Sequence, residues 1–170
     1  RRGRLLHQAV QFAIALEVPV TRVEIDHPVL KKAGIAYTAV ASDHFRICGT
    51  LPEDKLRLAA TWAERSLLVA RTMMGCEGGE VGRPKELRNI VLCGDKGSYH
   101  RVLDACADQF DKDRLAFLKQ YVELAFVDVA GDYQRVYALT NGGDDLMNDV
   151  VARGVAQDAI GLKADGLWEG

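Results

Sequence analysis

Near its carboxyl end the chain places two polar residues four positions apart, the spacing with which an α-helix presents a pair of ligands on one face. These residues are Arg153 and Gln157. Arg153 is a permanent cation with no lone pair to donate, and Gln157 offers only a weak amide oxygen. The pair is therefore predicted to hold no Zn²⁺.

Apolar residues of the same segment define the other side of the predicted helix. They recur at intervals of four and three positions, at Val151, Val155, Ala159 and Leu162. At 100° per residue this stripe faces a core, whereas Arg153 and Gln157 project away from it. The two polar side chains are expected to face a cleft.

Three other groups of residues could carry chemistry, and each has a plainer interpretation. Gly94–Ser98 stands between a predicted strand and a predicted helix, a position where phosphates bind. It lacks the GxxxxGK[ST] spacing, so it is predicted to be an exposed turn with Ser98 as the helix cap. The histidines have no ligand spacing and are predicted at the surface or at strand edges: His7, His27, His44 and His100. The four cysteines, which include Cys76, form no CxxC pair. Cys48, Cys93 and Cys106 are predicted to be buried free thiols, which favours a reducing, cytoplasmic compartment.

The elements that must position these residues follow from hydrophobic periodicity. Helices are predicted over 4–17, from the capping box Thr50-Leu-Pro-Glu53 to about Met74, from Ser98, over 115–124 and over 146–160. Strands are predicted over 20–25, 35–40, 45–48, 87–92, 126–129 and 134–139. This order predicts an α+β fold, in which helices pack on a mixed β-sheet with antiparallel edge strands.

The segment Asp149–Gly161 resembles the active-site helix of the gluzincin-type zinc metallopeptidases. In that family H-E-x-x-H supplies two zinc-binding histidines and a general-base glutamate. The matching positions are Arg153, Gly154 and Gln157, so all three functional residues are replaced.

Other segments extend the resemblance over residues 43–170. Gly166–Gly170 is similar to the family's W-L-x-E-G segment, which places Glu169 at the third zinc ligand. Asp43–Gly49, followed by a capped long helix, is similar to the entry strand and helix of the upper lobe in bacterial members. The order of the pieces carries more weight than any piece outside the helix.

The resemblance implies a zincin-like upper lobe with a remnant active-site helix, without metal, cofactor or catalysis. An ion pair between Arg153 and Glu169 would replace the ligand-to-metal contacts. An edge strand carrying Tyr133, Arg135 and Tyr137 would pair with an extended peptide or a segment of another protein. A binding or scaffolding role is the leading hypothesis. The alternatives are an active hydrolase whose ligands lie outside this segment, and a purely structural domain.

Composition limits the remaining classes of function. The 170 residues carry a formal net charge of −2, and 48% are apolar. Neither a basic surface for nucleic acid nor an apolar run long enough to cross a membrane is expected. The chain is interpreted as a piece of a longer protein, with a helix from a preceding region over 1–18 and the zincin-like domain over 19–170, ending before a lower lobe.

Overall fold

The structure is a computed structural model, and it describes residues 2–73, 87–120, 126–129, 134–138 and 144–159. The helices are α1 (Arg2–Ala15), α2 (Pro28–Lys32), α3 (Glu53–Met73), α4 (Lys96–Ala105), α5 (Lys112–Gln120) and α6 (Asp144–Ala159), with a 3-10 turn at Ala107–Gln109. The strands are β1 (Thr21–Val23), β2 (Thr38–Ala41), β3 (Phe45–Gly49), β4 (Arg88–Cys93), β5 (Phe126–Val129) and β6 (Gln134–Ala138).

The strands form a six-stranded mixed sheet in the order β1-β2-β3-β4-β6-β5. The central strands β3, β4 and β6 are parallel, while β1–β2, β2–β3 and β5–β6 pair antiparallel. Both edges of the sheet therefore end in antiparallel strands. The predicted α+β class, a mixed sheet with antiparallel edge strands packed against helices, is confirmed.

Helices cover the two faces of this sheet, and alternate residues of the central strands supply two separate cores. Ile47 of β3 and Leu92 of β4 belong to the core that contains α3 and α6. Their chain neighbours Cys48 and Val91 belong to the opposite core, which includes residues of α2, α4 and α5. A strand with apolar residues on both faces is typical of the interior of a sheet.

Helix α3 connects β3 to its parallel neighbour β4, and the turn before it differs from the prediction. Thr50 does not cap α3, because its Oγ1 accepts a hydrogen bond from the Gly94 N–H at 2.8 Å. The Pro52 carbonyl instead accepts from the Leu56 N–H at 3.1 Å, so Pro52 lies at the start of the helix. The Thr50 hydroxyl thus ties the exit of β3 to the exit of β4.

The amino-terminal helix packs on the same sheet unit. Ala9 and Ala13 of α1 are buried, and α1 contacts α3. Arg65 of α3 donates to the Leu16 carbonyl at 3.3 Å, and Arg57 donates to the Val20 carbonyl. These bonds attach the segment between α1 and β1 to α3.

Candidate functional site

The helix that carries the candidate positions is held by its apolar stripe. Val151 and Val155 of α6 are buried, as predicted, and pack with alanines of α3. Small residues at Ala59, Ala60 and Ala63 let two helices approach closely. The orientation of α6 is therefore fixed along one side by contact with α3.

Arg153 lies on the exposed side of α6, where the helical spacing predicts it. Gly154 is buried, and Gln157 follows Arg153 by one helical turn. Glu169, the residue predicted to pair with Arg153, lies outside the described residues. Within the described part of the chain, no three His, Cys, Asp or Glu side chains are grouped to hold a metal ion.

The strand predicted to be an open edge is an interior strand. Arg135 and Tyr137 lie in β6, in register with Ile90 and Leu92 of β4 on one side. On the other side β6 pairs with β5, so the edge-strand prediction is wrong for Arg135 and Tyr137. The physical reason is the β5–β6 hairpin, which places the preceding strand outside. The edge next to β6 is β5, and Tyr133 lies outside the described residues.

The start of α4 contains its own anion, which argues against a phosphate site there. Asp95 is the helix cap: its Oδ1 accepts from the Ser98 N–H at 2.8 Å and its Oδ2 accepts from the Ser98 hydroxyl at 2.6 Å. The prediction that Ser98 caps this helix is therefore wrong. The Ser98 hydroxyl and backbone bonds hold the pKa of the Asp95 carboxyl below its ordinary value of 3.8. An ionised carboxylate already occupies the N–H group that a phosphate would use.

Replacing Asp95 by alanine is expected to destabilise the protein by about 1 kcal/mol at neutral pH, because α4 loses its cap. A carboxyl with a lowered pKa stabilises the fold above its ordinary pKa, and that contribution is lost as the pH falls through the lowered value. Urea unfolding at about pH 7 and about pH 3 measures this difference. Asp95→Asn is the matched variant, since it keeps a cap oxygen without the charge. A pH dependence in Asp95→Asn equal to that of the parent would contradict this role.

A buried carboxylate that the sequence did not reveal joins α3 to the β2–β3 turn. Glu64 Oε1 accepts from the Ser42 hydroxyl and from the His44 N–H, both at 2.7 Å. Glu64 Oε2 lies 2.8 Å from Nδ1 of the His44 ring. The side chain of Glu64 is only 8% exposed, so these bonds replace the water it has lost. The position could have been noticed because a glutamate stands in the apolar stripe of α3.

This cluster contains serine, histidine and an acid, but its geometry is not that of a nucleophile triad. Activation of a serine needs its hydroxyl bonded to the histidine, which is bonded in turn to the acid. Here Ser42 and His44 both bond to Glu64, and the other ring nitrogen of His44 faces Arg71 at 3.4 Å. The arrangement holds the turn in place, and it does not prepare Ser42 to attack a substrate.

The thiols on the α4 side of the sheet are buried, as predicted for three of the four cysteines. Cys48, Cys93 and Cys106 are free and buried, and Cys76 lies outside the described residues. Burial raises the pKa of Cys48 and Cys93 to about 12 and that of Cys106 to about 11. Since the thiolate is the reactive form, these side chains are packing residues at neutral pH.

One histidine departs from its prediction as a surface or strand-edge residue. His27 is 3% exposed and caps α2, with its Nδ1 accepting from the Leu30 N–H at 3.4 Å. The backbone N–H of His27 donates to the Tyr37 hydroxyl at 2.8 Å. Desolvation, with a smaller effect of the Arg46 charge, lowers the pKa of His27 and favours the neutral ring. Its role is to begin a helix.

Comparison with known proteins adds no relative. No protein-family model, curated protein or solved structure matches the chain significantly. Among the described helices, none has both the length and the apolar composition needed to cross a membrane.

Proposed function

We propose that this chain forms a metal-less, gluzincin-like domain that binds an extended peptide segment along strand β5. The observation that carries this proposal is the position of β5. It lies antiparallel at the edge of the sheet, next to β6, and the chain that leaves β6 goes on to α6, which carries Arg153 and Gln157. The resemblance implies the same neighbourhood for a strand that pairs with substrate.

Strand β5 supplies the chemistry that such binding needs. A strand at the edge of a sheet presents backbone N–H and C=O groups on its outer side, and an extended peptide satisfies them as an added strand. The four residues Phe126–Val129 pair with β6 through Tyr137 to Gln134. The other side of β5 has no neighbour in the sheet formed by the described strands.

The residues on α6 support binding without hydrolysis. Arg153 carries a positive charge where a metallopeptidase keeps an imidazole, and it repels Zn²⁺. Gly154 cannot act as a general base. A peptide seated on β5 would therefore remain intact.

The test uses a panel of immobilised ten-residue peptides of random sequence, followed by affinity measurement on the best binder. Along an antiparallel pair, successive N–H groups point alternately toward and away from the partner strand. Val127 and Asp128 are adjacent, so one of them directs its N–H toward β6 and the other directs its N–H outward. Val127→Pro and Asp128→Pro therefore remove one of these two donors each. The variant that lacks the outward N–H is expected to unfold at the parental temperature and to bind the peptide about tenfold more weakly, a loss of about 1.4 kcal/mol.

Val127→Ala and Asp128→Ala are the matched controls, because each shortens the side chain and keeps the backbone donor. No peptide bound by the intact chain, or unchanged affinity in both folded proline variants, would overturn the proposal. Metal analysis of the same preparation separates the alternative class. About one zinc per chain, lost with a chelator together with peptidase activity, would identify an active hydrolase.

A further inference from the structure

We propose that His44 is a proton-sensitive latch between the β2–β3 turn and the last turn of α3. The His44 ring lies between two side chains of α3 with opposite charge. Its Nδ1 is 2.8 Å from Glu64 Oε2, and its Nε2 is 3.4 Å from Arg71 Nη1. Glu64 and Arg71 are seven residues apart, so they stand two turns apart on one side of the helix.

The donors and acceptors assign one tautomer to the neutral ring. An ionised Glu64 carboxylate only accepts hydrogen bonds, and the Arg71 guanidinium only donates them. Both contacts are satisfied when Nδ1 carries the proton and Nε2 carries the lone pair. His44 in this form connects the Glu64 carboxylate to Arg71, and it attaches the last turn of α3 to the β2–β3 turn.

A second proton on the ring reverses only one of the two contacts. Protonated Nε2 becomes a donor that faces the donor of Arg71, and two positive charges then stand 3.4 Å apart. The contact with Glu64 becomes an ion pair, which keeps the ring in place. Arg71 must therefore move away.

The other groups around the ring do not compensate for this repulsion. The carbonyl of His44 accepts from the Arg88 N–H of β4 at 3.0 Å, which fixes the backbone beside the ring. Asp43, the adjacent acid, is exposed. Glu64 is already engaged by Ser42 and by the His44 N–H. Arg71 is thus the group that yields.

The end of α3 can respond because its packing decreases toward its last residue. Leu67 is 2% exposed, whereas Met73 is 44% exposed. A helix end that is weakly packed opens locally at low cost, so the loss of one charge-assisted bond changes its population of open states. Protonation of His44 is expected to release the last turn, residues 70–73, while the sheet stays folded.

The test follows backbone hydrogen exchange by NMR at about pH 8 and about pH 5.5, with each rate corrected for intrinsic exchange. The ring nitrogens of His44 are expected to show the Nδ1–H tautomer at the higher pH. Protection of the amides of residues 70–73 is expected to fall about tenfold at the lower pH. This loss should follow the same pH interval as the ring signals of His44.

Two variants and one control decide between a latch and a general effect of acid. Arg71→Met keeps the side-chain length and removes the donor, so the last turn should exchange rapidly at both pH values. His44→Gln keeps a donor for Glu64 and cannot titrate, so it should abolish the pH dependence. His100→Gln is the control, because His100 lies on α4 with its Nε2 3.0 Å from the Lys119 carbonyl. An Nε2–H tautomer in the parent, or protection of residues 70–73 that is the same at about pH 8 and about pH 5.5, would overturn the proposal. If His44→Gln does not fold, the tautomer measurement and Arg71→Met still decide.

Discussion

Replacing Arg153 and Gln157 by histidine is expected to create a zinc site on α6. The two positions are one turn apart on the same helix, which is the spacing that brings two imidazoles to one metal ion. The resemblance places Glu169 as the third ligand. With zinc at about 100 times its dissociation constant, the double variant should gain about 2.7 kcal/mol of stability, whereas the parent should gain none. Metal analysis and thermal unfolding with and without zinc measure both effects.

The Glu169→Gln substitution in the same double variant tests the resemblance separately from the helix. If Glu169 is the third ligand, its loss should weaken zinc binding by about 100-fold, because the ion then depends on two imidazoles and water. Equal affinity with and without the Glu169 carboxylate would show that the carboxyl end of the chain does not reach this site. Gly154 is unchanged in both variants, so neither is expected to hydrolyse peptides.

Long elements of this fold are predictable because many residues contribute to each periodic pattern. The sequence predicts helix α3 from the Thr50–Glu53 box to about Met74, and the helix spans Glu53–Met73. Helix α2 is absent from the prediction, because five residues are too few to show a helical period. Its one local signal is Pro28 in the first turn, after a cap residue, His27, of an uncommon type. Short elements that depend on one cap are therefore the least visible in sequence.

The two helix caps show why local motifs point to the wrong residue. Asp95 and Ser98 are both favoured cap types, and which of them caps the helix depends on where α4 begins. Because α4 begins at Lys96, Asp95 is the acceptor and Ser98 is the donor. Thr50 is a favoured cap as well, but a strand exit 44 residues away uses its hydroxyl. Contacts between distant parts of the chain override a local preference of about 1 kcal/mol.

The site depends still more on contacts that a single sequence does not contain. Strands β5 and β6 are both short, and neither sequence indicates which of the two pairs with β4. The sheet order makes β6 interior and β5 the edge, so the proposed binding strand is the hairpin partner of the one that the sequence favours. Glu64 likewise gains its function only when the β2–β3 turn lies against α3.

Substituting Gly49 by alanine is expected to destabilise the protein by about 3 kcal/mol, because the centre of the sheet leaves no space for a Cβ atom. Gly49 lies in register with Leu92 of the parallel neighbour β4. A Cβ at position 49 would stand 1.8 Å from the Leu92 carbonyl oxygen, which also accepts from the Thr50 N–H at 3.1 Å. Relief of this overlap requires the two backbones to separate where Thr50 joins them. Urea unfolding at neutral pH gives the change in free energy.

Gly34→Ala distinguishes this steric overlap from the general effect of adding a side chain at a glycine. Gly34 has a φ of +64°, but a Cβ atom at position 34 would have no neighbouring atom within 4 Å, so its cost should come from backbone strain alone, about 1 kcal/mol. Gly49 also has a positive φ, +157°, so both variants include backbone strain, and the larger loss expected for Gly49→Ala reflects the added overlap with the Leu92 carbonyl. If Gly49→Ala costs no more stability than Gly34→Ala, β3 and β4 do not approach this closely at their carboxyl ends. That result would also contradict the bond from Gly94 to Thr50, which fixes the start of α4 relative to α3.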